Sequence, residues 1–288
     1  MITMTIRGLK LYFRNKGTVI SSIMSVLIMF AIFALFLEQA MVKDTSTLEG
    51  SKLIVTSWII SGMLATTSIS SCLGAYSIMV TDRDDKIVKD FYSSPMKRSS
   101  VLVGYIVSGL IVSIIMSLLT FIIGEIYLTI KGGNVINGQG IVKMLLVMIL
   151  SSFSSSSIIC FIISFVKKNS TYATVSVLLG TLIGFLTGTY LPIGNLPQGI
   201  QTMIKIFPPM HSASLFRQVL MNDYIDVAFV NASSDEILRF KEVLGITLSF
   251  SGHSLQSYAN VMYLLISGFI FYVLGVINIT RKEKSMNH

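Results

Sequence analysis

The sequence predicts an all-α membrane protein: six transmembrane helices, an interfacial helix ahead of them, and short re-entrant helices in one long outer connection. Three observations carry this. First, six apolar stretches, 19–37, 53–80, 101–124, 144–166, 170–191 and 259–280, contain no Asp, Glu, Lys, Arg, His or Pro. Each is long enough to cross a bilayer, since about 20 residues rising about 1.5 Å apiece cover a hydrocarbon core of about 30 Å. Second, the 288-residue chain is 52% hydrophobic and only 12% charged, with a mean hydropathy of +0.75. A water-facing surface of that composition would be insoluble, so lipid must supply most of the solvent. Third, the basic residues sort by side. With the N-terminus placed in the cytoplasm, 14 of the 22 Lys and Arg fall on inner segments and 8 on outer ones. Four of the outer 8 lie in the long connection after the fifth stretch, which carries little topogenic weight. Both termini are therefore expected in the cytoplasm. The same sorting argues against nucleic acid as the reason for a net charge of +8.

Residues 1–18 form the first element. Ile2, Ile6, Leu9 and Phe13 recur at helical spacing beside a basic stripe of Arg7, Lys10 and Arg14, which predicts an amphipathic helix lying along the inner membrane surface. It serves either as a topogenic flank or as an elbow that transmits motion. No cleavable signal peptide is expected, because the first apolar run is span-length and is followed by Glu38 and Gln39.

The inner loop 81–98, TDRDDKIVKDFYSSPMKR, sets four Asp against five Lys or Arg and places Ile87, Val88 and Phe91 on one possible helical face. Basic residues alone suffice for topology. The added acids Asp82, Asp84, Asp85 and Asp90 point to a protein partner that reads both signs around a small apolar contact, with a solvated hairpin as the simpler reading.

Inside the stretches, Gly180, Gly184 and Gly188 repeat every fourth residue, a smooth face that another helix could approach closely. The second stretch carries Thr66, Thr67, Ser68, Ser70 and Ser71, and the fourth carries six serines between Ser151 and Ser157. Hydroxyls in hydrocarbon either bond back to a carbonyl one turn earlier and pack helices, or line a polar path; Thr66, Thr67, Ser70 and Ser71 are the candidates for the second role. Cys72 and Cys160 both fall within stretches and read as small buried residues. The connection 192–258 holds Pro192, Pro197, Pro208 and Pro209, four of the five prolines. It is too long for a simple turn. Short helices broken at Pro208 and Pro209, then a small polar outer subdomain over 223–257, are expected there; residues 281–288 form an inner tail.

Several activities are disfavoured. Carriers driven by a proton or sodium gradient keep an ionisable group at membrane depth, and the nearest candidate here, Glu125, sits just past the third stretch. His211, His253 and His288 all lie outside the stretches, leaving the membrane serines without a base, and no metal-ligating motif is present. The glycine-rich run GGNVINGQG at 132–140 lacks the Lys and hydroxyl that end a phosphate-binding loop. No cofactor is expected on this chain.

Two motifs suggest a family. The loop DRDDKIVKDFYSSPMKRS follows the second stretch where permeases of one class show R-E-x-G-T, then a Pro and basic residues; here Asp84, Asp85 and Lys86 stand where Glu, Gly and Thr are more usual. After the fifth stretch, GTYLPIGNLP, FPP and LFRQ match G-x-x-x-P, L-P, and a later Pro before an apolar-Arg pair. With this order of parts, the chain resembles, over its full length, the permease subunit of an ABC-2 type ABC transporter of the bacterial drug, antibiotic or peptide exporter kind. The resemblance implies a coupling helix, carried by Asp82, Arg83, Asp84, Asp85, Lys86, Lys89, Asp90 and Phe91, that docks on a separate nucleotide-binding ATPase subunit. That subunit would bind ATP and Mg. It also implies a second permease, self or related, and alternating access around the second and fifth stretches. Export of hydrophobic or amphipathic cargo suits a path with hydroxyls but no fixed charge. A gradient-driven carrier or channel, and a non-transporting membrane sensor or scaffold, remain as alternatives.

Overall fold

The computed structural model describes residues 1–32, 50–93, 98–230, 232–250 and 253–285. Among these the helices are α1 (Ile2–Arg14), α2 (Lys16–Ile32), α3 (Ser51–Asp84), α4 (Ile87–Ser93), α5 (Arg98–Ile130), α6 (Gly138–Ile163), α7 (Asn169–Leu186), α8 (Gln198–Ile206), α9 (Pro208–Ala228), α10 (Ser234–Val243) and α11 (Ser257–Ser285). A 3-10 turn, Ile193–Asn195, precedes α8. A two-residue antiparallel pair, β1 (Ser249–Phe250) with β2 (His253–Ser254), precedes α11.

Five of these helices, α3, α5, α6, α7 and α11, are long and apolar enough to cross a membrane. They coincide with the second to sixth stretches. The first stretch begins in α2; residues 33–37, with Glu38 and Gln39, lie outside the described residues, as do Pro95 and Lys97 of the inner loop.

Helix α3 occupies the centre. Its Trp58, Leu64, Cys72 and Tyr76 are at most 1% exposed, and it packs against α5, α6, α7 and α9. Lipid tails are as apolar as leucine, so packing and buried hydrogen bonds must hold such helices together. The hydroxyls supply those bonds. Ser113 Oγ on α5 lies 2.9 Å from both the Ser68 carbonyl on α3 and Ser152 Oγ on α6. Ser68 Oγ lies 3.1 Å from Ser117 Oγ, and the Tyr76 hydroxyl lies 3.1 Å from Ser156 Oγ.

Helix α1 buries Met4, Thr5, Gly8 and Tyr12 and packs chiefly on α5. The approach is close enough that a Cβ on Gly104 would fall 2.4 Å from Met4 Cβ. Met1, Ile2, Ile6 and Phe13 stay exposed, consistent with a helix lying at an interface.

Two expectations are corrected. The fifth apolar stretch runs to residue 191, but α7 stops at Leu186 because Gly188, at φ +60, caps it. The Gly188 amide donates to Phe185 O at 3.0 Å and the Thr189 amide to Gly184 O at 2.8 Å, a Schellman closure that needs the left-handed glycine. The helical run breaks between α8, ending at Ile206, and α9, beginning at Pro208, which is where the expectation placed the break, at Pro208 and Pro209. They occupy the first turn of α9, where the missing amides cost nothing and φ is already helical. Helix α9 then continues through residue 223 to Ala228, so the polar subdomain starts later than expected. Its first half, including Pro208, Met210, Ala213 and Phe216, is buried against the spanning helices.

Candidate functional site

Three consecutive charged residues at the end of α3 each hold a different element. Asp82, 2% exposed, accepts from Arg7 Nη1 at 2.6 Å and Nη2 at 2.8 Å, a bidentate pair with α1. The Tyr105 hydroxyl on α5 donates to the same carboxylate at 2.5 Å. Asp82 holds the Arg7 guanidinium above its usual pKa, so this cation stays charged. Arg83 Nη1 reaches the Ile163 carbonyl at 3.2 Å and the Val166 carbonyl at 3.4 Å, at the end of α6. Asp84 accepts from the first amide of α7, Asn169 N, at 2.9 Å. Cation at a helix C-terminus and carboxylate at an N-terminus are the favourable pairings with the helix dipole, each worth about 0.3–1 kcal/mol at the surface.

Beyond this clamp the chain turns at Lys86, the one non-glycine residue with positive φ (+62) among the described residues. It then enters α4. Asp85, Lys86, Lys89 and Asp90 are exposed, and Ile87 and Val88 half-buried. Phe91 is anchored: it packs against the buried cluster to which Met79 and Tyr105 belong, and the Arg7 guanidinium sits 5.0 Å from its ring centroid. Arg7 therefore joins α1, α3 and α4. The sequence-based site splits accordingly into a clamp of Asp82, Arg83 and Asp84 and a presented surface of Asp85, Lys86, Lys89 and Asp90.

The other candidates fall as follows. Thr66, Thr67 and Ser71 are buried in the bundle, with Thr66 Oγ1 donating to Met63 O at 2.9 Å and Thr120 Oγ1 to Thr67 Oγ1 at 3.4 Å. Ser70 alone of the four is exposed. Gly180 has open space where a Cβ would stand, while Gly184 lies under the Tyr190 ring; with Gly188 serving as a cap, the three glycines do not form one face. Pro192 precedes the 3-10 turn and Pro197 precedes α8.

Sequence reasoning missed a second knot at the other end of the bundle. Arg217, noted only as part of LFRQ, is fully buried. Its Nη2 donates to Gly188 O at 2.7 Å and Thr187 O at 3.2 Å, and Nη1 to Gly245 O at 3.3 Å. Its guanidinium carbon lies 5.0 Å from the Trp58 ring centroid. Gly245 closes α10 with the same pattern that Gly188 gives α7, its amide donating to Glu242 O and that of Ile246 to Lys241 O. One guanidinium on α9 thus caps the negative ends of two helices, which partly offsets its burial without an acid. No local signal reveals this, since the acceptors are backbone carbonyls about 30 residues away on either side.

The ABC-2 type transporter family model matches residues 1–221, from α1 into the second half of α9. The chain belongs to this family. It is accordingly a membrane-embedded permease component, not itself catalytic, of a class that works with an ABC ATPase subunit. A comparison with curated proteins found no match.

Proposed function

We propose that the chain is the permease subunit of an ATP-driven exporter of hydrophobic or amphipathic molecules. Both termini face the cytoplasm, and it works as a pair of permeases, self or related, by alternating access. One observation carries the reading: Asp82, Arg83 and Asp84 fasten α1, the end of α6 and the start of α7 to the root of α4, while the charged residues of the α4 segment stay exposed. A partner ATPase that pulls on this segment moves α3 and α7 together, because their ends share the clamp. ATP and Mg are bound by that partner. The exposed Val177, Leu178, Leu182 and Phe185 of α7 are the surface available to cargo, lipid or the second permease, and they carry no charge that would demand an ionic cargo.

Purification of the tagged chain in mild detergent, followed by identification of co-purifying proteins, tests this. The expected result is a stoichiometric ABC ATPase whose recovery falls about tenfold for Asp85→Lys, a charge reversal on the presented surface that leaves the three clamp contacts in place. Recovery of the intact oligomer without any ATPase would contradict it.

A further inference from the structure

From the geometry of α1 we infer a binding site for the phosphate head group of an anionic phospholipid, built from Arg7, Lys10 and Arg14. These three follow one another at helical spacing along one edge of α1 and line a basin of about 290 Å³ with Thr3, Ile6 and Leu11. The composition of the basin is zoned. Its polar side holds three cations and a hydroxyl, Asp82 meeting Arg7 from outside the lining, and its apolar side holds Ile6 (45% exposed) and Leu11 (39% exposed). Lys10 and Arg14 are exposed and, among the described residues, enter no ion pair. Arg7 spends only part of its five-donor fork on Asp82, and donors remain for a second anion.

A free anion would need only the cations. The adjoining exposed Ile2, Ile6 and Phe13 favour a ligand that brings acyl chains with its phosphate, and an acidic protein surface would leave those side chains in water. Cations close to an anionic leaflet are drawn to it by its surface potential. Arg7 also contacts Asp82 and the Phe91 ring, so a head group in the basin bears directly on the residue that joins α1 to α3 and α4. The inference rests on the membrane-permease reading and on the interfacial placement of α1 expected from its sequence, but head-group binding itself does not depend on which way the chain faces.

Native mass spectrometry of the purified full chain, titrated with phosphatidylglycerol or phosphatidylcholine of the same acyl chains, tests it. The wild type is expected to bind phosphatidylglycerol about tenfold more tightly. Lys10→Gln/Arg14→Gln is expected to abolish the preference, and the charge-conserving pair Lys10→Arg/Arg14→Lys to retain it. Equal binding of both lipids by the wild type, full preference in the neutralised variant, or displacement of the lipid by inorganic phosphate at equal concentration would each overturn the assignment. Orientation is read separately by thiol labelling of Ile2→Cys, an exposed position on α1, from either side of sealed vesicles.

Discussion

Arg7 and Asp82 stand 75 residues apart in the chain and meet in a bidentate pair with Nη1 to Oδ2 at 2.6 Å. Asp82 is nearly dry, with 4% of its side chain exposed against 29% for Arg7. Removing one member therefore harms more than removing both. Arg7→Ala strands a buried carboxylate and is expected to cost about 2–3 kcal/mol, somewhat below the range for a fully buried pair, whereas Arg7→Met/Asp82→Leu is expected to recover at least half of that. A double-mutant cycle on the thermal unfolding of the detergent-solubilised chain checks this, with a coupling energy of about 1–3 kcal/mol expected.

Lys86 holds a left-handed backbone at φ +62 between α3 and α4, a conformation that costs an L-residue about 1–2 kcal/mol and glycine very little. Lys86→Gly is expected to raise stability by about 0.5 kcal/mol after the unfolded-state entropy of glycine is counted. Lys86→Val is expected to lower it by at least about 1 kcal/mol. Thermal unfolding of the three proteins in one detergent should rank them Gly above Lys above Val.

Arg217 gives a sharper test because its partners are carbonyls. Arg217→Met keeps most of the volume but leaves Gly188 O, Thr187 O and Gly245 O without this donor, and about 2–4 kcal/mol of destabilisation is expected. Arg217→Lys keeps the charge yet cannot span both helix ends, so it should recover less than half. Hydrogen exchange should localise the loss to 186–190 and 244–247, the two capped turns.

The hydroxyl seam predicts small effects. Ser113→Ala removes a hydroxyl that bridges α3 and α6, and membrane hydrogen bonds of this kind average about 0.6 kcal/mol. A loss near that value in unfolding is expected; loss of cargo movement with unchanged stability would instead assign Ser113 to the path.

Much of the fold was legible because bilayer thickness imposes a length and a composition on each spanning helix: 53–80, 101–124 and 259–280 each lie within a single helix, and 144–166 overruns the end of α6 at Ile163 by three residues. The helix ends were less legible. Whether Gly188 continues a glycine face or closes a helix depends on the sign of φ, which spacing does not encode. The break at Pro208 and Pro209 could be read from the prolines, but not the continuation of α9 to Ala228. The charged loop could be picked out from its mixture of signs, but its division into clamp and surface could not. Arg7, the Ile163 carbonyl and the Asn169 amide are each about 75–85 residues from the acid or base they meet, and nothing local marks Asp82 as the buried one and Asp85 as the exposed one.

In the proposed function, the clamp at Asp82, Arg83 and Asp84 transmits movement of a partner ATPase to α3 and α7. Uptake of a hydrophobic dye into inside-out vesicles, measured together with ATP hydrolysis by the assembled complex, tests it most directly. Arg83→Gln/Asp84→Asn is expected still to assemble with the ATPase and still to hydrolyse ATP, while dye moved per ATP falls about tenfold. An unchanged ratio in a variant shown by hydrogen exchange to have lost the clamp at 163–169 would contradict it.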